Sequence, residues 1–390
     1  MTLKVETLDH PHDQWLEPRD RLQGRYERAR MAALASHPRL PSVPDEMLRA
    51  HGMAGVFLEP ERTLLRARSP SRQRRHHTAF HHTHLPEDLF ASIACSLAEG
   101  VGVNSTGRIF EVGKKTVLAV LARAADHADA VARSLLKDVS VAECQLDELW
   151  SFIGKKERNL APLEALSGIF GDAWIWIAFD TRHKLVLARV VGKRTTAHAI
   201  LLLQEVQRVA PSMPLLFSSD DLDAYPHALL HVYGRPWTPP RRPGPGRPPK
   251  PRLRPPDDLC YVQVVKRYER SRVADVRRRI VFGDPDRIER LLQESPGSET
   301  INTAYVERNN ATIRHLDARC NRKTYRFSKC KKNHERQLAL SLAYYHLCRP
   351  HRTLTTEHRK PTTPFMAARL TDHPWSMHEL LGHYLNPACP

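Results

Sequence analysis

No stretch of the 390 residues stays apolar for the roughly 18 positions that a membrane-spanning helix needs. The opening MTLKVETLDHPHDQWLEP lacks the apolar core of a signal peptide. Cysteine is sparse: the seven residues (95, 144, 260, 320, 330, 348 and 388) are scattered, odd in number and never spaced C-x-x-C. That pattern excludes a disulfide framework and a zinc ribbon, and it leads us to expect a soluble protein of a reducing cytoplasm. Acid is also in deficit. Asp and Glu number 43 against 60 Lys and Arg, which gives a net charge of +17. A polyanion is therefore the expected partner, nucleic acid first, and the expected location is cytoplasmic and nucleoid-associated.

What is present suffices for folding. At 41% hydrophobic residues the chain can bury a core, and its length predicts two or three folded units. Residues 1–84 show no sustained period and read as an irregular basic region, partly disordered, with histidines at 76, 77, 81, 82 and 84 in a basic, partly solvated linker. Residues 85–137 are different. Leu89, Ile93 and Leu97 recur at helical spacing after Pro86, Gly100 stops them, and NSTGRIFEV and KKTVLAVLARAADHADAVARSLL follow around Gly113. Three helices joined by tight turns have the spacing of a helix-turn-helix, although a plain three-helix bundle would space them alike. In such a motif the last helix enters the major groove by its N-terminus, which places Lys114, Lys115 and Thr116 at base edges and Arg108 and Arg123 on phosphates.

Beyond Glu143 the period changes to two. CQLDELWSFIG, AWIWIAFD and KLVLARVVG predict an antiparallel meander, with Asp180 as a turn residue. TTAHAILLLQEVQRVA predicts a Thr-capped helix, and PLLFSSD a fourth strand lying beside the first. Residues 138–233 and 300–380 are thus expected to form one α/β unit, a mixed sheet flanked by helices. Between them, residues 234–256 hold ten prolines, seven basic residues and no acid, an extended arm that reads equally as a rigid spacer or as a minor-groove arm in which Arg247 lies in a narrow groove. Residues 260–283 read as a basic β-hairpin, so 234–299 is expected to be an insertion. ERQLALSLAYYHLCRP, apolar nearly all round, predicts a buried helix.

The carboxylates carry the chemistry. Asp147, in mid-strand between Leu146 and Leu149, needs a cation or a metal to offset its burial. Asp220, ending the neighbouring strand, would project at the same height. Glu307, Asn310 and Arg314 fall at i, i+3 and i+7, one helix face, which spacing alone favours as a solvated one. Three converging carboxylates would suit Mg²⁺ or Mn²⁺ and phosphoryl displacement.

The ordered set QLDELWSFIGKK, FSSDDLDAY and YVERNNATIRH followed by RKTYRFSK resembles the DDE transposases of bacterial insertion sequences, nearest the insertion-sequence-one type, over about residues 85 to 380. The resemblance implies a ribonuclease-H-like catalytic core preceded by an all-α helix-turn-helix domain, with the triad on Asp147, Asp220 and Glu307. It also implies that Asn310 and Arg314 support the active site or donor DNA. The partner would be double-stranded DNA, both element ends and target, handled by at least a dimer. Asp221 departs from the family, where Gly usually follows the second Asp. The alternative is accordingly an inactivated or domesticated relative that binds DNA without cutting it.

Overall fold

A computed structural model describes residues 75–240, 249–270, 272–294 and 300–385. Residues 1–74 of the N-terminal region, and Arg247, lie outside the described residues. The histidine segment is partly solvated, with His76, His77, His82 and His84 exposed, but it is anchored between them: Ala79 and Phe80 are buried, and Phe80 packs edge-on to Phe90 with ring centroids 5.6 Å apart.

The three expected helices are α1 (Glu87–Ala98), α2 (Val103–Ile109) and α3 (Lys114–Leu135). Gly100 closes α1 at φ +81°, and a Cβ there would come within 3.0 Å of the carbonyl oxygens of His315 and Leu316. Glycine is therefore required both for the backbone turn and for the close approach of the segment around Leu316. Along α3, Val117, Val120, Leu121, Ala124, Ala128 and Val131 form one buried stripe at helical spacing.

Next come β1 (Glu143–Ile153), the short α4 (Pro162–Ser167), β2 (Gly171–Asp180) and β3 (Leu185–Gly192). The meander is antiparallel throughout, Leu149 facing Ile175 across the first pair and Ile177 facing Arg189 across the second. Asp180 accepts the Arg182 amide at 2.9 Å, the Asx geometry of a turn. Helix α5 (Thr196–Val209) starts after Thr195 as expected, but the hydroxyl bonds the His198 ring at 2.8 Å instead of a backbone amide. Strand β4 (Leu216–Asp220) then runs parallel to β1, with Gln145 beside Ser218.

Helix α6 (Ala224–Tyr233) follows, and β5 (Arg235–Trp237) pairs with β6 (Arg252–Arg254) as an exposed two-stranded ribbon at the root of the proline-rich arm. The hairpin is formed by β7 (Tyr261–Glu269) and β8 (Arg272–Phe282). It is not set apart as an insertion: β7 pairs in parallel with β4, so the sheet has six strands in the order β3-β2-β1-β4-β7-β8.

Helices α7 (Pro285–Glu294), α8 (Ala304–Leu316) and α9 (Lys331–Leu347) complete the main body. The short α10 (Arg352–His358), α11 (Pro364–Ala367) and α12 (Met377–Gly382) follow them. Together these elements make a mixed α/β fold with helices on both faces of the sheet.

Strand alternation assigns the two faces. Leu146 and Trp176 join the core shared with α3, α5 and α6, whereas Leu149, Ile175 and Ile177 join Val306 and Ile313 of α8. Helix α9 is buried on both sides, Leu340 and Leu347 in the first core and Leu338 and Leu342 in the second, which accounts for its all-round apolar sequence. Because α1 and α3 share that first core with the sheet, the three N-terminal helices are packed onto the α/β unit. No helix among the described residues is long and apolar enough to cross a membrane.

Candidate active site

The end of β4 organises the site. β4 stops at Asp220, at the level of Asp147, while β1 continues past it to Ile153, so side chains of β1 beyond Asp147 have no β4 neighbour at their level. Adjacent residues of a strand point to opposite faces, and here both faces open onto the same cleft. Asp147 leans toward α8, where its Oδ2 accepts the Asn310 amide at 2.7 Å. Glu148 leans the other way. Its Oε1 accepts from Arg194 Nη2 at 2.6 Å, and its Oε2 accepts the Tyr225 hydroxyl at 2.9 Å.

Oxygens of Asp147, Glu148 and Asp220 lie within 4.8 Å of one another, close enough to share one cation. Glu307 lines the same cleft of about 580 Å³, with Lys266, Arg314 and Arg322 on its rim. Its Oε1 accepts the Thr303 hydroxyl at 2.9 Å and pairs with the Lys266 ammonium. The structure thus brings all three residues of the expected triad into one cleft, together with Asn310 and Arg314. The tight cluster, however, includes Glu148 in place of Glu307. Glu148, Lys266, Arg194 and Arg322 are the residues that sequence reasoning missed. For Glu148 there was a signal, two consecutive acids inside a strand pattern.

The electrostatics report an excess of negative charge. Burial, then the neighbouring Glu148 carboxylate, pushes Asp147 up to about 7. Burial and Glu148 likewise push Asp220 up to about 6, against the pull of Arg194 and Lys266. Asp220 Oδ1 is buried without a hydrogen-bond partner. An orphaned carboxylate oxygen beside two further carboxylates is a hard-oxygen donor set that fits a divalent cation such as Mg²⁺ or Mn²⁺. Asp221 lines the same cleft and adds a smaller push to Asp220, but its charge is partly offset by Arg279 of β8, with which it pairs at 2.6 Å.

This arrangement predicts an inverted order of stabilities. Removing Arg194 leaves the buried Glu148 charge uncompensated among like charges, whereas Glu148→Gln removes one of the repelling charges. In metal-free protein at neutral pH, Arg194→Ala should cost about 3 kcal/mol by urea denaturation and Glu148→Gln about 1 kcal/mol or less. The opposite order would mean that the hydrogen bonds of Glu148 outweigh the repulsion.

The expected DNA-contacting residues divide into two groups. Lys114, Lys115 and Arg108 are exposed, and Lys114 and Arg108 line one cleft beside α2 and α3; Thr116 is half-buried in the first turn of α3. Arg123 does not face outward, because its guanidinium is half-buried and donates to the His81 carbonyl.

No family model matches the chain. The chain is 31% identical over 100 residues to insertion element iso-IS1n protein InsB of Shigella dysenteriae, a match spanning 24% of this chain and 63% of that protein. It therefore spans slightly less than two thirds of that relative's length. Among solved structures, the Mos1 transposase paired-end complex with left transposon end matches at 13% identity over 53% of this chain and 70% of that chain, with a TM-score of 0.16. The Mos1 strand transfer complex matches at 14% identity over 52% and 66%, with a TM-score of 0.15. Superpositions this loose carry no argument, so the similarity with weight is the one to part of an insertion-element protein.

Proposed function

We propose that the chain is a DNA transposase of the DDE type with a ribonuclease-H-like core. The observation that carries this reading is the convergence of Asp147 from β1, Asp220 from the end of β4 and Glu307 from α8 in one cation-rimmed cleft. The similarity to an insertion-element protein agrees with it. The strand order supports the core assignment: a three-stranded antiparallel meander, a helix, then a parallel strand beside the first.

Asp147, Asp220 and Glu307 would hold the divalent cation, with Glu148 close enough to join them. Bound there, Mg²⁺ or Mn²⁺ would supply Lewis acidity to a phosphodiester. The chain's own residues do the rest. Asn310 fixes the rotamer of Asp147, and Arg314, Arg322 and Lys266 face the scissile phosphate from the rim. Water displaces one ester oxygen to leave a 3′-hydroxyl, and that hydroxyl then displaces an ester oxygen of target DNA.

Lys114, Lys115 and Thr116 at the start of α3, with Arg108, would read the terminal repeats as a helix-turn-helix, and Arg247 would follow a minor groove. Two ends must be handled together, so the working form would be at least a dimer. The ion pair of Asp221 with Arg279 favours an active enzyme over a binding-only relative, since it offsets part of the added charge.

The experiment is cleavage of duplex carrying the DNA that flanks the gene, in Mg²⁺ and in Mn²⁺. Wild-type protein should nick it, and Asp221→Gly should change the rate by no more than about fivefold, because an exposed ion pair contributes under about 1 kcal/mol. Salt-dependent binding without nicking by either protein, in either metal, would instead establish the binding-only alternative.

A further inference from the structure

We propose that Tyr325 is a stacking platform for an unpaired DNA base next to the strand end that lies in the carboxylate cleft; this rests on the DNA reading above. Tyr325 is the most exposed large apolar or aromatic side chain among the described residues, at 103% of its reference accessibility. A ring displayed in this way forgoes the burial that normally fixes aromatic positions.

Its loop is nevertheless pinned at the roots. Arg326 Nη1 donates to the Gly100 carbonyl at 2.9 Å, Phe327 stacks on Phe152 with centroids 5.3 Å apart, and the Ser328 carbonyl accepts the Gly154 amide at 2.7 Å. The ring is held outward by a scaffold tied to α1 and β1, which lowers the ordering cost of binding.

Charge and placement identify the occupant. From Arg319 to Lys332 the chain has seven Lys and Arg residues and no acid, a local field suited to phosphates. Tyr325 lines two clefts, one of about 940 Å³ together with Arg314 and one of about 480 Å³ together with Arg108 and Lys114. Arg314 also lines the carboxylate cleft. A strand leaving the carboxylates past Arg314 therefore meets the tyrosine before it reaches the start of α3. Bases within duplex are already stacked on both faces, so the ring can receive only a base that has lost a neighbour.

The test compares a blunt duplex with the same duplex carrying a short single-stranded DNA overhang that contains 2-aminopurine. Full-length wild-type protein should bind the overhang probe more tightly and quench its fluorescence. Tyr325→Ala should lose about tenfold in affinity for that probe, along with the quenching, and change blunt-duplex affinity by less than about twofold. Tyr325→Phe should behave as wild type, because the ring and not the hydroxyl does the stacking.

Equal losses on both probes, or none, would overturn the proposal while leaving DNA binding intact. Preference for an RNA overhang would overturn the assignment to DNA. Wild-type protein that binds neither probe would instead overturn the DNA reading, and this inference with it. Because the ring is fully exposed, the variants are expected to fold, and unchanged far-ultraviolet circular dichroism confirms it.

Discussion

Asp147→Asn, Asp220→Asn and Glu307→Gln should each abolish Mg²⁺-dependent cleavage of end-bearing duplex, lowering the rate by at least about 10²- to 10³-fold, while duplex affinity stays the same or rises. The affinity argument follows from charge: each substitution removes an anion from a cleft whose rim carries Lys266, Arg314 and Arg322. The rate argument follows from ligation, since losing a donor to the cation weakens every interaction that the cation makes with the phosphate. Asn310→Ala should be milder, about 10- to 100-fold, because it reaches the chemistry through Asp147.

Misfolding does not confound Glu307→Gln in particular, since Glu307 is exposed and its pair with Lys266 is of the kind that contributes little to stability. Plasmid nicking and fluorescence anisotropy read the two quantities separately. Undiminished nicking by any of the three carboxylate variants would remove that residue from the site.

How much of this was legible in the sequence depends on whether the signal was local. The meander, the return of β4 beside β1 and the buried α9 follow from periodicity, because period-two and all-round apolar patterns are written in consecutive residues. Asp147 could be singled out for a related reason: a charge in mid-strand needs an explanation in three dimensions.

The parallel pairing of β7 with β4 could not be read, since about 40 residues and a proline-rich arm separate the strands and parallel register leaves no turn signature. Glu148 was passed over because alternation sends it to the face opposite Asp147, and only the early end of β4 lets both faces open onto one cleft. Arg123 failed for the converse reason. It was assigned to phosphates as a basic residue of the motif, and only the packing of residues 75–85 supplied the His81 carbonyl that holds it.

The same cluster makes stability depend on pH and on metal, with a sign that can be worked out. Asp147 is raised from 3.8 to about 7 and Asp220 to about 6, so between those limits the folded chain binds more protons than the unfolded one. Stability should therefore fall as pH rises through that range and level off above it. Buried histidines oppose this at lower pH. Burial lowers His127 and His334 to about 4 and His346 to about 3, so above those values the folded chain holds fewer protons from them than the unfolded one, and their contribution to stability climbs until about pH 7.5.

At pH 6.5 the histidines of the unfolded chain are still about half protonated, so the two effects overlap up to about pH 7.5, and the aspartate contribution is isolated by comparison with Asp147→Asn. As pH rises from about 6 to about 8, the melting temperature of metal-free wild-type protein should fall relative to that of Asp147→Asn, which carries the same histidines. Millimolar Mg²⁺ or Mn²⁺ should reverse it, by about 2.7 kcal/mol when the cation is at one hundred times its dissociation constant, and should have little effect near pH 5, where Asp147 and Asp220 are protonated. A metal shift of equal size at both pH values, or one that survives Asp147→Asn combined with Asp220→Asn, would place the bound cation elsewhere on the protein.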